Sequence, residues 1–360
     1  MDDGYPYNDD LLRTPGDQER ARAEYGPIAF ALHFPAMLER FEAADNIANN
    51  AKQYVRRMGL RSVAAVTLAL LVASAAPLYR NYHWSDAVVF AAALLGIGGG
   101  LVGLGLRSAA HKAKWLENRL VTERLRHLHF RLLIVLAPAI LDAAESGDWT
   151  HFEANRAAAL GAFEQDVIKR KESELEAIIE ACADPPPANL DENIKPACFD
   201  KPNGALLLKA YRNLRIVRQL QFADYKLLKK GGLFSPFART QASVLSVVGY
   251  ICIFLLLALH ISFAFLSTLG VSAESLELLD VVAIWTAFIA LALRTIEEGL
   301  KPRAEVERYR HYQATVKRIL EQFDRSDLDG KLSAAVALEH ASFDEMAIFL
   351  RSNSEARFTM

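Results

Sequence analysis

The sequence predicts an all-α integral membrane protein, with four transmembrane helices in two hairpins and a cytoplasmic helical bundle. Three observations predict it. Uncharged apolar runs of bilayer-spanning length occur four times. Lys and Arg cluster on the same side of both pairs of runs. The segments between them repeat apolar residues at helical spacing, with almost no strand pattern. Overall composition, 52% hydrophobic with a barely positive mean hydropathy, would also suit a soluble protein with buried helices. Four long runs bounded abruptly by basic residues do not.

Taken in order, residues 1–24 are acidic and rich in Pro and Gly, and read as a mobile N-terminal tail. They lack the basic and apolar regions of a signal peptide. A first helix–hairpin–helix unit is expected over 25–183. A helix from Ile28 to Arg57, with Pro35 as a break or first-turn position, enters a span over about 62–79. The short turn Arg80–Ser85 makes the next span, about 87–106, return antiparallel. Leu125, Leu128, Leu132 and Val135 mark a helix from His111 to Leu136, and a second runs from Phe152 to Ala181. A loop over 184–204, rich in Pro, Asn and Asp, is the best boundary in the chain.

The second unit, 205–360, repeats the plan. A helix from Leu206 to Lys230 carries Leu207, Tyr211, Leu214 and Arg218 on one face, and Gly231 and Gly232 follow it. The third span covers about 243–266, a polar turn runs from Ser267 to Ala273, and the fourth span covers about 276–294. Glu277 and Asp280 lie in the first turn of that last span, where acids suit both the water interface and a helix N-terminus. Helices from Val306 to Phe323 and from Ser333 to Leu350 complete the chain.

Orientation follows from charge. Lys52, Arg56, Arg57 and Arg61 precede the first span, and Arg294, Lys301 and Arg303 follow the fourth. The two short turns carry only Arg80 on the basic side, against Asp86, Glu274, Glu277 and Asp280. Both hairpins therefore place both termini in the cytoplasm. An inner membrane facing a reducing compartment suits Cys182, Cys198 and Cys252, which have no metal-ligand spacing. A net charge of −2 and pI near 6.5 offer no field for nucleic acid.

Catalytic constellations are missing, so no enzyme activity, metal or cofactor is expected. His127, His129, His151 and His311 make no HExxH motif, and the span-two glycines follow no strand. The candidate mechanistic residues lie elsewhere. Gly96, Gly99, Gly100 and Gly103 form one glycine face on span two, and Ala65, Ala69, Ala73 and Ala76 make a comparable small-residue stripe on span one. That face serves either static packing within a hairpin or packing between subunits as a pore opens. His260 is the ionisable residue well inside span three, either a structural or interfacial group bonded to a backbone carbonyl or a neighbouring serine such as Ser262 or Ser267, or a pore or proton-handling group. Trp115, Arg119, Arg124 and Arg126 are candidate contacts for a cytoplasmic partner or anionic ligand, with internal ion pairing as the alternative.

Two groups of residues carry a resemblance: Phe41, Asp45 and Ala48 with Tyr54 and Arg57, then Trp115, Arg119, Glu123, Arg124, Leu125 and Arg126. They resemble the SLATT family (SMODS/SLOG-associating transmembrane effectors) of bacterial membrane proteins. Arg218, Gln219 and Tyr225, and the stretch Glu297 to Tyr309, resemble members with two hairpins. The resemblance implies a pore-forming or membrane-disrupting homo-oligomer in antiviral conflict systems, triggered by a nucleotide signal or other sensor. Many relatives carry a fused sensor or enzyme domain. None is evident here, so the resemblance implies a separate cytoplasmic sensor or signalling enzyme as partner. The rival reading is a non-conducting scaffold that gathers such an enzyme at the membrane.

Overall fold

A computed structural model describes residues 8–103, 105, 108–180, 199–228 and 237–358, and no strand occurs among them. After a single 3-10 turn at Asp9–Leu11, the first half contains α1 (Pro15–Tyr25), α2 (Ala29–Leu32), α3 (Pro35–Ser74), α4 (Ala76–Tyr79), α5 (Ser85–Gly103), α6 (Ser108–Val135), α7 (Ala137–Ser146), α8 (Thr150–Phe163) and α9 (Lys171–Glu180). The second half contains α10 (Gly204–Tyr211), α11 (Arg218–Lys226), α12 (Ala238–Thr268), α13 (Ala273–Leu300), α14 (Pro302–Arg325) and α15 (Leu328–Glu355). Wide π turns join α8 to α9 at Glu164–Ile168 and α10 to α11 at Arg212–Val217. They interrupt the two helices expected to be continuous over Phe152–Ala181 and Leu206–Lys230.

Local chemistry sets several of these boundaries. Thr14 Oγ1 accepts from the Asp17 amide at 3.2 Å while Asp17 Oδ2 accepts from the Thr14 amide at 3.2 Å, a capping box that starts α1. Pro35 opens α3, where its missing N–H costs nothing. Pro138 falls in the first turn of α7, and the chain bends by 64° between α6 and α7. Gly270, at φ 75°, follows α12 and supplies the left-handed residue of its C-terminal turn.

The chain forms two compact units, and they cut across the two sequential halves expected from the sequence. The first, the helical body, takes Met1–Asn49, Lys114–Leu227 and Glu307–Ser354. Its core is one cluster of large side chains, including Phe41, Leu125, Phe130, Ile140, Leu141 and Tyr211, all under 2% exposed. The N-terminal segment belongs to it. Instead of a mobile tail over 1–24, residues from Asn8 onward form the 3-10 turn and α1, because Leu11 and Leu12 insert into the core and Asp10 is buried beside Arg126. Residues 1–7 lie outside the described residues, as do most of the 184–204 loop, Cys182, Cys198, Gly231 and Gly232.

The second unit takes Asn50–Ala113, Leu228–Val306 and Glu355–Met360. It holds four helical stretches long and apolar enough to cross a membrane, in α3, α5, α12 and α13. Its burial is inverted relative to the body. The positions turned inward are mostly small or hydroxylic, among them Ser62, Ala69, Ala92, Gly99, Cys252, Thr286 and Thr295, with Val63, Leu276 and Val281 as larger exceptions. Bulky apolar residues face outward, with Phe90 66%, Ile97 61%, Phe254 72% and Ile261 65% exposed. Water would penalise such a surface heavily, whereas lipid tails would not. Four helices of this length and apolar surface suggest a membrane protein.

Candidate functional site

Within the apolar unit, α3 and α5 meet along the expected glycine face. A Cβ on Gly96 would stand 3.2 Å from Ala69 Cβ. One on Gly99 would stand 3.0 Å from Ala65 Cβ and 3.2 Å from the Ser62 carbonyl. One on Gly103 would stand 2.8 Å from Ser62 Oγ. Ser62 Oγ donates to the Gly99 carbonyl at 2.6 Å, a bond that only so close a backbone approach permits. Gly100 is the exception, since a Cβ there would meet nothing within 4 Å. The glycine face is thus three packing positions and one open one.

His260 lies on the outward face of α12, and its Nδ1–H donates to the Leu256 carbonyl at 2.8 Å. Its partner is the carbonyl one turn back, rather than Ser262 or Ser267. That bond fixes the tautomer and points Nε2 away from its own helix. Hydroxyls in the same unit satisfy themselves similarly: Thr286 donates to the Val282 carbonyl at 2.8 Å and Thr295 to the Leu291 carbonyl at 3.0 Å.

Charges collect at the two ends of this unit. At one end Arg80 pairs with Glu277 at 3.4 Å, and Trp84 stacks with Tyr79 and Tyr82. At the other, Arg303 reaches Glu297 at 2.7 Å and Ser246 Oγ at 2.6 Å, and Arg56 lies 3.9 Å from Glu305. The twenty-residue step from Glu277 to Glu297 along α13 rises about 30 Å. That is the thickness of a bilayer's hydrocarbon core, about 30 Å.

The arginines singled out in the sequence are turned into the body rather than presented to a partner. Trp115 is 5% exposed and packs edge-on against Phe349. Arg119 pairs with Glu123 and stands 3.8 Å from Asp45. Arg124 lies 3.2 Å from Glu174 and over the Phe343 ring. Arg126 pairs with Glu123 at 3.0 Å and Asp10 at 3.2 Å, with its guanidinium over Phe41. Phe41, Asp45, Arg119, Glu123 and Arg126, separate in the sequence, therefore form one cluster. Burial alone would raise the Glu123 carboxyl, but Arg119, Arg126 and Arg215 bring it below its ordinary value.

Sequence reasoning missed the deepest constellation. Glu339 of α15, 1% exposed, accepts from Arg215 Nε at 2.8 Å and Nη2 at 2.7 Å, and from the Tyr211 hydroxyl at 3.0 Å. His127 Nδ1 of α6 sits 2.7 Å from its other oxygen. Arg215 also lies over the Phe130 ring, and Tyr312 donates to Gln219 Oε1 at 3.0 Å beside it. The second π turn makes this possible: its widened backbone turns three consecutive residues inward, Leu214, Arg215 and Ile216. Burial disfavours the Glu339 charge, yet Arg215 and His127 outweigh it and hold the carboxyl well below the glutamate range. The only sequence signal was a helix face of Leu207, Tyr211, Leu214 and Arg218.

Beside that turn, a cavity of about 280 Å³ opens between Asp9, Arg20, Tyr25, Asn213, Arg218 and Gln221. Arg218 bridges Asp9 at 2.9 Å and Gln221 Oε1 at 2.9 Å across it. Burial raises the Asp9 carboxyl, with Asp10 and Asp17 adding to the effect and Arg218 opposing it. No cluster of metal-ligating side chains occurs among the described residues. No protein-family profile, curated protein or solved structure matches this chain.

Proposed function

We propose that the protein is an oligomeric inner-membrane effector of a bacterial antiviral defence system, which a cytoplasmic partner or signal switches to a leaky state. The observation that carries the membrane part of this reading is the inverted burial of the second unit, small residues inward and bulky apolar ones outward. In this reading α3 with α5, and α12 with α13, are two membrane hairpins. The basic residues beside them put the helical body and both termini in the cytoplasm. The effector part draws on the SLATT-like residues, five of which meet in one cluster of the body. Oligomerisation follows because the Gly–Ala seam leaves no channel between α3 and α5, while α12 turns His260 Nε2 toward whatever lies beside it.

The test is ion flux from liposomes containing the purified protein, paired with membrane-potential dye readings in cells expressing it with its genomic neighbours. Depolarisation under a trigger supports the reading, and unchanged potential under every trigger counts against it. One observation favours a second reading, a non-conducting anchored scaffold: the Gly–Ala seam is apolar and offers ions no polar lining. Silent liposomes, with a cytoplasmic enzyme co-purifying, would decide for the scaffold.

A further inference from the structure

After α15 the chain runs on through Ala356, Arg357 and Phe358, and this segment belongs to the apolar unit. Phe358 sits where three of that unit's helices each carry glycine. A Cβ on Gly59 of α3 or on Gly299 of α13 would overlap its aromatic ring. One on Gly103 of α5 would lie 3.0 Å from its carbonyl oxygen. The backbone just before it is held as well: Lys112 Nζ donates to the Ala356 carbonyl at 2.7 Å, and Lys301 Nζ pairs with Glu355 at 3.1 Å. Lys301 itself occupies the left-handed region at φ 47°, in the one-residue joint between α13 and α14. A non-glycine residue held there stores strain that surrounding contacts must offset.

We propose that Gly59, Gly103 and Gly299 form a binding site for the chain's own segment 355–358, and that the seated Phe358 locks α3, α5 and α13 in their present arrangement. The glycines are the argument. Each weakens its helix relative to alanine, and two of them face the Phe358 ring with no room for a methyl group. An aromatic ring shared by three helices resists their sliding past one another, because each helix would have to expel the ring before it moved. The site rests on the reading of this unit as a membrane bundle, but its test does not depend on ion flux.

A fluorescent synthetic peptide spanning 352–360 is titrated onto the detergent-solubilised full-length chain carrying Phe358→Ala, whose own tail no longer fills the site, and binding is read by anisotropy. The expected result is saturable binding that weakens at least tenfold when the peptide carries Phe358→Ala. Binding should weaken similarly when the protein carries Gly59→Ala. In the full chain, Phe358→Ala lowers the melting temperature in detergent, and a cysteine at 358 reacts with a maleimide several-fold faster when Gly299→Ala is also present. Non-saturable peptide binding, or a full chain indifferent to both Phe358→Ala and Gly59→Ala, overturns the proposal. Gly100→Ala, which faces open space, controls for helix propensity. A protein that follows the expected pattern yet never leaks ions keeps the tail site and loses the permeation reading.

Discussion

Four hydrogen bonds from three residues converge on the Glu339 carboxylate, and completeness is what makes so buried a charge tolerable. Truncating one partner strands the other. Arg215→Met alone or Glu339→Gln alone should each destabilise the body by about 3–5 kcal/mol, and Arg215→Met with Glu339→Leu by much less. Denaturant titration in detergent separates the three. Acid should act on two residues in sequence. His129 is 3% exposed, and burial, with Arg156 and Arg215 nearby, holds its pKa at about 3. The fold accepts only its neutral form, so stability falls as pH drops from the ordinary histidine range toward 3. Glu339, held below the usual glutamate range, adds its loss only at lower pH, as its carboxylate takes up a proton. His129→Phe should therefore flatten the decline between about pH 6.5 and 5 and make the loss below it shallower, leaving there the part that belongs to the carboxylates. Lys112 has the same sign in the alkaline range. Burial, then Arg357 and Lys301, lower it to about 8. Folding stability consequently rises as pH climbs from 8 toward the ordinary lysine range, because the folded chain sheds a poorly solvated charge that the unfolded chain keeps. Arg357→Gln should shift the Lys112 titration upward and shrink that alkaline gain, as read by lysine-selective NMR or a pH series of melting curves.

At the scale of elements, the glycine face of α5 gives the sharpest contrast. Gly99 and Gly100 are neighbours on the same helix with equal intrinsic propensity. Yet a methyl on Gly99 would press on Ala65 and the Ser62 carbonyl, whereas one on Gly100 would meet nothing. Gly99→Ala should cost about 1–3 kcal/mol by forcing α3 and α5 apart, and Gly100→Ala should gain up to about 1 kcal/mol through helix propensity. Melting curves in detergent read both, and equal responses would mean that the seam is not packed as described. The period of the sequence exposed the glycine face, but only tertiary placement separates its members. The same limit applies to the body. Local periodicity located the helices around Leu125, Leu207 and Val316, because each buries one face. The π turn at Arg212–Val217 has no comparable signature, since Arg215 is drawn inward by Glu339, 124 residues further along. The dense arginines of α6 looked like a surface for partners for the same reason: Glu174, Asp45 and Asp10, which neutralise them, lie far away in sequence.

For the whole molecule, the strongest sequence signal was also the coarsest, the contrast between uncharged runs and the basic residues around them. It located four apolar helices, and the structure adds that their bulky side chains face outward. It did not reveal that the chain divides by environment rather than by halves, with each half contributing to both units. The two ends of the apolar unit differ chemically, and that difference makes the proposed topology testable. One end carries Tyr79, Tyr82 and Trp84 beside the Arg80–Glu277 pair, the aromatic and sparsely basic composition expected at an outer interface. The other gathers Arg56, Lys112, Lys301 and Arg303, the basic excess of a cytoplasmic face. In a background lacking Cys182, Cys198 and Cys252, a cysteine at His83 should react with a membrane-impermeant maleimide added to intact spheroplasts. A cysteine at Asp329, in the first turn of α15, should react only after lysis. Both positions are exposed, so steric protection does not confuse the readout. Labelling of both sites from the same side would eliminate the hairpins, because three spans, α5, α12 and α13, lie between His83 and Asp329, and an odd number of crossings must put them on opposite sides.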